Sequence, residues 1–246
     1  MSDPRASTPS KAPFPTTRWS RVVEAGDPAE PGARAALAAL CSAYWYPLYA
    51  FVRRKGHPPD EAADLVQGTF LTLLDRDGLA AVAPERGRFR SFLMAACAHH
   101  LADCRDRDRA VKRGGGAMPI SIDRALAEGR YSAEPVNDWT PERLFDRRWA
   151  TGLLENAVAR LEAESTAAGK TALVSQLLPT LTGGRGNIPL AAIAAGLGMT
   201  EGAVKMAASR LRKRYGEILR EEIARTVADP ADVEDEVRAL FAALAR

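Results

Sequence analysis

No stretch of this chain approaches the roughly 18 consecutive apolar residues that a membrane-spanning helix needs. The N-terminus has no apolar core of the kind that marks a secretory signal. Cysteine is scarce: Cys41, Cys97 and Cys104 are the only three in 246 residues. An odd number at no framework spacing argues against a disulfide scaffold and predicts free thiols in a reducing cytoplasm. Charge of one sign is also lacking. A net charge of +3 means that any nucleic-acid site must be a local patch. Sustained alternation of apolar and polar residues, the mark of a half-buried strand, is missing too. No Ser/His/Asp or paired-carboxylate spacing points to an enzyme. Ala168-Gly-Lys-Thr171 resembles the end of a phosphate-binding loop, but Glu164 stands where the first glycine belongs and no strand precedes it. Cys97, His100 and Cys104 fall on one predicted helix without a fourth ligand. No metal or other cofactor is therefore expected.

What remains is helix. Apolar residues make up 46% and charged ones 26%, an ordinary globular balance, and the length allows one or two domains. Residues 1–17 are rich in Pro, Ser and Thr and predict a disordered leader. Residues 18–113 read as one helical domain. Its first helix starts in Ala33–Cys41, and Pro47 is expected to kink or break it. Trp19, Trp45 and Tyr46 fit a core better than a ligand cage. A second helix starts at His57-Pro-Pro-Asp and carries Leu65, Phe70, Leu73 and Leu74. A third runs from about Arg88 until Gly114-Gly-Gly116. Residues 114–139 show no period and predict a flexible linker. A second domain, 140–228, opens on a capping Thr140 with proline at the first helical position. Residues 170–178 form a further helix, and Gly183-Gly-Arg-Gly186 a turn. Residues 229–246 are an acidic amphipathic helix. Through Val233, Val237, Leu240 and Phe241 it either caps the second domain or covers the basic helix before it. The fold class is all-α, in two helical domains.

The segment Leu190–Tyr215 has the parts of a helix-turn-helix. Leu190, Ile193 and Ala194 give a first helix its buried stripe. Gly198 suits the left-handed residue of a tight turn, and Thr200 is placed to cap a second helix. There Val204, Ala208, Leu211, Tyr215 and Ile218 share one face, while Glu201, Lys205, Ser209, Arg212 and Lys213 share the other. Early residues of such a helix reach base edges and later cations meet phosphates. A helical hairpin with a solvated basic face is the plainer alternative.

Asp60-Glu-Ala-Ala-Asp-Leu-Val-Gln-Gly-Thr-Phe-Leu71 resembles the D-x-x-Q-x-x-F helix of bacterial RNA polymerase sigma factors. Arg88-Phe-Arg-Ser-Phe-Leu-Met-Ala-Ala-Cys97 resembles the segment with which they open promoters. With the helix-turn-helix last, the order is that of the extracytoplasmic-function (ECF) subfamily over residues 18–225. The resemblance implies binding to core RNA polymerase through Asp60, Glu61, Asp64 and Gln67. It implies capture of the −10 strand near Phe89, Arg90, Phe92, His99, Arg105, Arg107 and Arg109. It further implies duplex −35 recognition through Thr200, Glu201, Lys205, Ser209, Arg212 and Lys213. Phe89 and Phe92 serve equally well as core. From Arg105 to Arg113 five cations (Arg105, Arg107, Arg109, Lys112, Arg113) stand against two acids (Asp106, Asp108). Gly68 replaces a usual acidic residue, at about 1 kcal/mol relative to Ala in mid-helix, and His99 replaces a frequent Asn. The family's partners are promoter DNA, core polymerase and often an anti-sigma protein. The expected role is promoter-specific transcription initiation, without catalysis. The alternative is a stand-alone helix-turn-helix regulator whose first domain dimerises.

Overall fold

A helix that is apolar on every side has to be surrounded, and Ala43–Val52 supplies one, every residue of it buried. In the computed structural model this stretch lies within α1 (Ala33–Arg54). The structure describes residues 33–75, 88–110, 124–134, 138–181, 189–227 and 229–245. The predicted leader, Trp19 and the glycine-rich stretches at 114–116 and 183–186 lie outside them. After α1 come α2 (Pro59–Asp75), α3 (Phe89–Ala110), α4 (Arg124–Ser132), α5 (Pro141–Ala167), α6 (Thr171–Leu177), α7 (Leu190–Leu197), α8 (Glu201–Ala224) and α9 (Val233–Leu244). Among the described residues there is no strand, and the all-α expectation is borne out. No single helix there is long and apolar enough to cross a membrane. Thr140 caps α5 as expected, its hydroxyl accepting from the Arg143 N–H at 3.2 Å.

Two local expectations need correction. Of the kink or break expected at Pro47, the break does not occur: α1 runs on to Arg54. An interior proline costs about 3 kcal/mol, but Tyr44, Leu48, Tyr49 and Phe51 are all at most 2% exposed. Each such burial contributes about 1.5–3 kcal/mol, so tertiary packing wins. Residues 114–139, read as a linker, contain α4. This helix docks on α1 mainly through polar groups, which leave no apolar period to read. Arg53 donates to both Glu128 carboxylate oxygens, at 3.0 and 2.8 Å, and the Tyr49 hydroxyl donates to Glu128 at 2.5 Å. The Arg53 guanidinium also lies 4.8 Å from the Tyr131 ring centre.

The most extensive helix–helix packing is that of α1 with α5, where Tyr44 stacks on Phe145 at 6.4 Å. Residues from 18–113 and from 140–228 thereby share one hydrophobic cluster. α5 in turn packs against both α8 and α9, which also touch each other.

Helices α2 and α3 approach closely at Gly68, where a Cβ would stand 2.5 Å from His100 Nε2. The imidazole is held there by Thr72 Oγ1 at 3.3 Å and Cys104 Sγ at 3.5 Å. A side chain at position 68 would force this ring to move and break its two contacts. Gly68→Ala should therefore destabilise the protein by about 1 kcal/mol, because overpacking outweighs the gain in helix propensity. In a His100→Ala background the same change should stabilise by about 1 kcal/mol. Urea unfolding of the four proteins measures this reversal of sign; equal effects in both backgrounds would contradict it.

Candidate nucleic-acid interface

Helix α7 buries Ile193 and Ala194 with Leu190 half-buried, the stripe expected of it. It ends at Gly198, whose φ of 62° and ψ of 29° are left-handed. Most side chains resist that region, because Cβ crowds the following carbonyl. Thr200 then caps α8, its hydroxyl accepting from the Ala203 N–H at 3.2 Å. The axes of α7 and α8 are bent by 107° across this turn.

On α8, Val204, Ala208, Leu211 and Ile218 are buried and Tyr215 is half-buried. Ion pairs hold the helix against α5. Arg214 donates to both oxygens of Glu164 at 2.8 Å each, and Arg160 of α5 meets Glu221 and, at 3.2 Å, Glu222. The Arg214 guanidinium holds the Glu164 carboxyl below its usual range.

The other side of α8 is bare. Thr200, Glu201, Lys205, Ser209, Arg212 and Lys213 are all exposed, as the sequence predicts. Met206 and Arg210 are exposed on the same side, and sequence reasoning missed both. A helical wheel finds them, because inward Val204, Ala208 and Leu211 leave those positions outside. Among the described residues, Lys205, Arg210, Arg212 and Lys213 enter no ion pair, while Arg214 and Arg220 of the same helix do. Helix α9 does not cover these cations.

The first half is reassigned in part. Asp60, Glu61 and Asp64 are exposed along α2, with Glu61 held by His57 at 2.8 Å. Gln67 is buried at 9% exposure and leaves the ridge. It follows buried Ala63 by one turn and precedes buried Phe70, so its polarity misleads about its side of the helix. On α3, Phe89 is buried and Phe92 half-buried against it, the ring centres 6.2 Å apart. His99 and Arg105 are exposed, but six residues place them about a third of a turn apart. His99, seven residues on, follows the line of Phe92, but Arg105 points away from it, so the three do not form one face. The side chains of Arg107 and Arg109 lie outside the described residues. His100 and Cys104 meet, yet no three potential metal ligands gather among the described residues. Burial pushes the Cys97 thiol up to about 11.

Arg90, which the resemblance assigns to the DNA strand, has another occupation. It is 6% exposed. Its guanidinium lies 4.0 Å from the Trp149 ring centre and donates to Glu236 at 3.0 and 3.4 Å. Arg88 reaches the same carboxylate at 2.6 Å. Burial pushes the Glu236 carboxyl up, against the pull of these two arginines. Helix α9 is thus pinned at Glu236. At its other end, Arg143 and Arg147 donate to the free carbonyls of Ala245 and Leu244, where cations suit a helix C-terminus. Leu240 is buried as expected, but Phe241 is 59% exposed, because Glu236 and Leu240 set the inward line.

Comparison with protein-family models, with curated proteins and with solved structures gives no match. The clamp itself makes a direct prediction. Glu236→Ala should lower the unfolding free energy by about 3–5 kcal/mol, since it leaves the buried Arg90 only the more distant carboxylate of Asp146, at 3.6 Å. Glu234→Ala on the same helix breaks only an exposed pair with Arg220 and should cost under about 1 kcal/mol. Urea denaturation midpoints of both variants against the parent provide the measurement.

Proposed function

We propose that this chain grips duplex DNA with α8 and acts with core RNA polymerase as a sigma factor of the extracytoplasmic-function kind. The exposed cations of α8, in no ion pair among the described residues and set on a helix fixed by the Gly198 turn, are the observation that supports this best. A bend of 107° across a short glycine turn fits a helix-turn-helix. Exposed Ala195, Gly196, Gly202 and Ala203 let its surface come close to a duplex. Glu201, Lys205 and Ser209 would face base edges of a −35 element, while Arg212 and Lys213 meet phosphates. Asp60, Glu61 and Asp64 offer an acidic ridge to a cationic surface of polymerase. His99 and Arg105 stand ready for a separated strand. On this reading the segments 18–113 and 140–228 are two modules that part when polymerase binds. The protein works in the cytoplasm, inserts into no membrane and catalyses nothing; polymerase forms the phosphodiester bonds. An anti-sigma protein is a further partner that the resemblance implies.

One observation favours a second reading. The two segments share a core, as a stand-alone DNA-binding regulator with a structural first half would. Transcription in vitro separates the two. Full-length protein added to sigma-free core polymerase on a genomic promoter pool should yield promoter-specific transcripts beyond core alone. Lys205→Ala and Arg212→Ala should each weaken duplex binding about tenfold, and each cation removed from a phosphate should flatten the salt dependence by about one unit of slope. Core association should not change. Absence of specific transcripts, with a footprint formed by the protein alone, would establish the regulator instead.

A further inference from the structure

Buried Val204, Ala208 and Leu211 fix the inward direction of α8. At about 100° per residue, the line directly opposite passes through Gly202, Met206, Ser209 and Lys213. Met206 is 56% exposed, one of three large apolar side chains so exposed among the described residues, with Leu126 and Phe241. It alone of the three stands among unpaired cations, with Lys205 beside it and Arg210 one turn on. Helical side chains lean toward the N-terminus, and one turn that way stand exposed Gly202 and Ala203, with open space around Gly202. Met206 is therefore the tallest apolar group over the first two turns of α8. In a helix laid in the major groove those turns face the bases. The bases offer one apolar group on that edge, the 5-methyl of thymine. An unbranched thioether reaches and adapts to it.

We propose that Met206 is a specificity-determining residue that packs on a thymine 5-methyl group in the major groove. This rests on the reading of α8 as a duplex-binding helix. The cations around it supply the attraction to phosphate, which carries no sequence information, and the methionine adds a base preference.

The test presents the full chain, bound to core polymerase, with duplex pools randomised over roughly ten base pairs, one helical turn. One pool contains thymine; in the other every thymine is replaced by uracil, which lacks only the methyl. The thymine pool should enrich a thymine at one position, and the uracil pool should show no preference there. Met206→Ala should abolish that preference in the thymine pool while other positions stay enriched. For the best duplex, removing the methyl or the methionine should weaken binding about threefold to tenfold, and removing both should weaken it no further. Identical enrichment in both pools would overturn the assignment and leave duplex binding standing. So would a Met206→Ala variant that loses polymerase association but keeps its base preference, which would mark a protein partner for this side chain. No enrichment in either pool would overturn the duplex reading as well.

Discussion

The need to enclose α1 organises everything else. A run of Tyr, Trp, Leu and Phe buried on all sides cannot be satisfied by the neighbours α2 and α3 alone. It recruits α4 and, above all, α5 from beyond the glycine-rich segment. Once α5 lies along α1, its remaining sides are the platforms on which α8 and α9 rest. The orientation of the basic face of α8 is thus a distant consequence of where Trp45, Tyr49 and Phe51 are buried.

Charge is divided by the same geometry. Several arginines that face another helix are matched with carboxylates: Arg53 with Glu128, Arg90 with Glu236, Arg160 and Arg214 with Glu164 and Glu221. The deepest of these, Arg90 with Glu236, gives up two hydration shells. It persists because Arg88, the Trp149 ring and the mutual attraction offset the loss. Exposed pairs contribute little by comparison, but they fix orientation. What remains unmatched among the described residues on α8 lies on one side, and its charge is free to act on something outside the molecule.

Legibility in the sequence follows the strength of the local signal. The α7–α8 pair is readable because a left-handed glycine, a capping threonine and a period of 3.6 all point the same way. Both faces of α8 lie as that pattern predicts. Helix α4 is not readable: nine residues give too few turns for a period, and a carboxylate and a tyrosine dock it more than an apolar stripe does. Gln67 and Arg90 mislead for a common reason. A polar residue type suggests an outward side chain, and burial overrides type at both.

Met206 is the converse case, an apolar type that looks unremarkable in the sequence and stands out only beside its neighbours in space. Both cases have one physical root. Residue type sets the cost of a position, whereas helix phase sets the position itself. Where type and phase agree, as at Val204, the residue reports the fold. Where they disagree, a buried charge requires a partner, and an exposed apolar side chain is open to one. For Arg90 that partner lies inside the molecule, at Glu236. For Met206 the described residues bury less than half of the side chain. The remainder is apolar surface among exposed cations, and on the proposed reading of α8 a thymine methyl flanked by phosphates would match both.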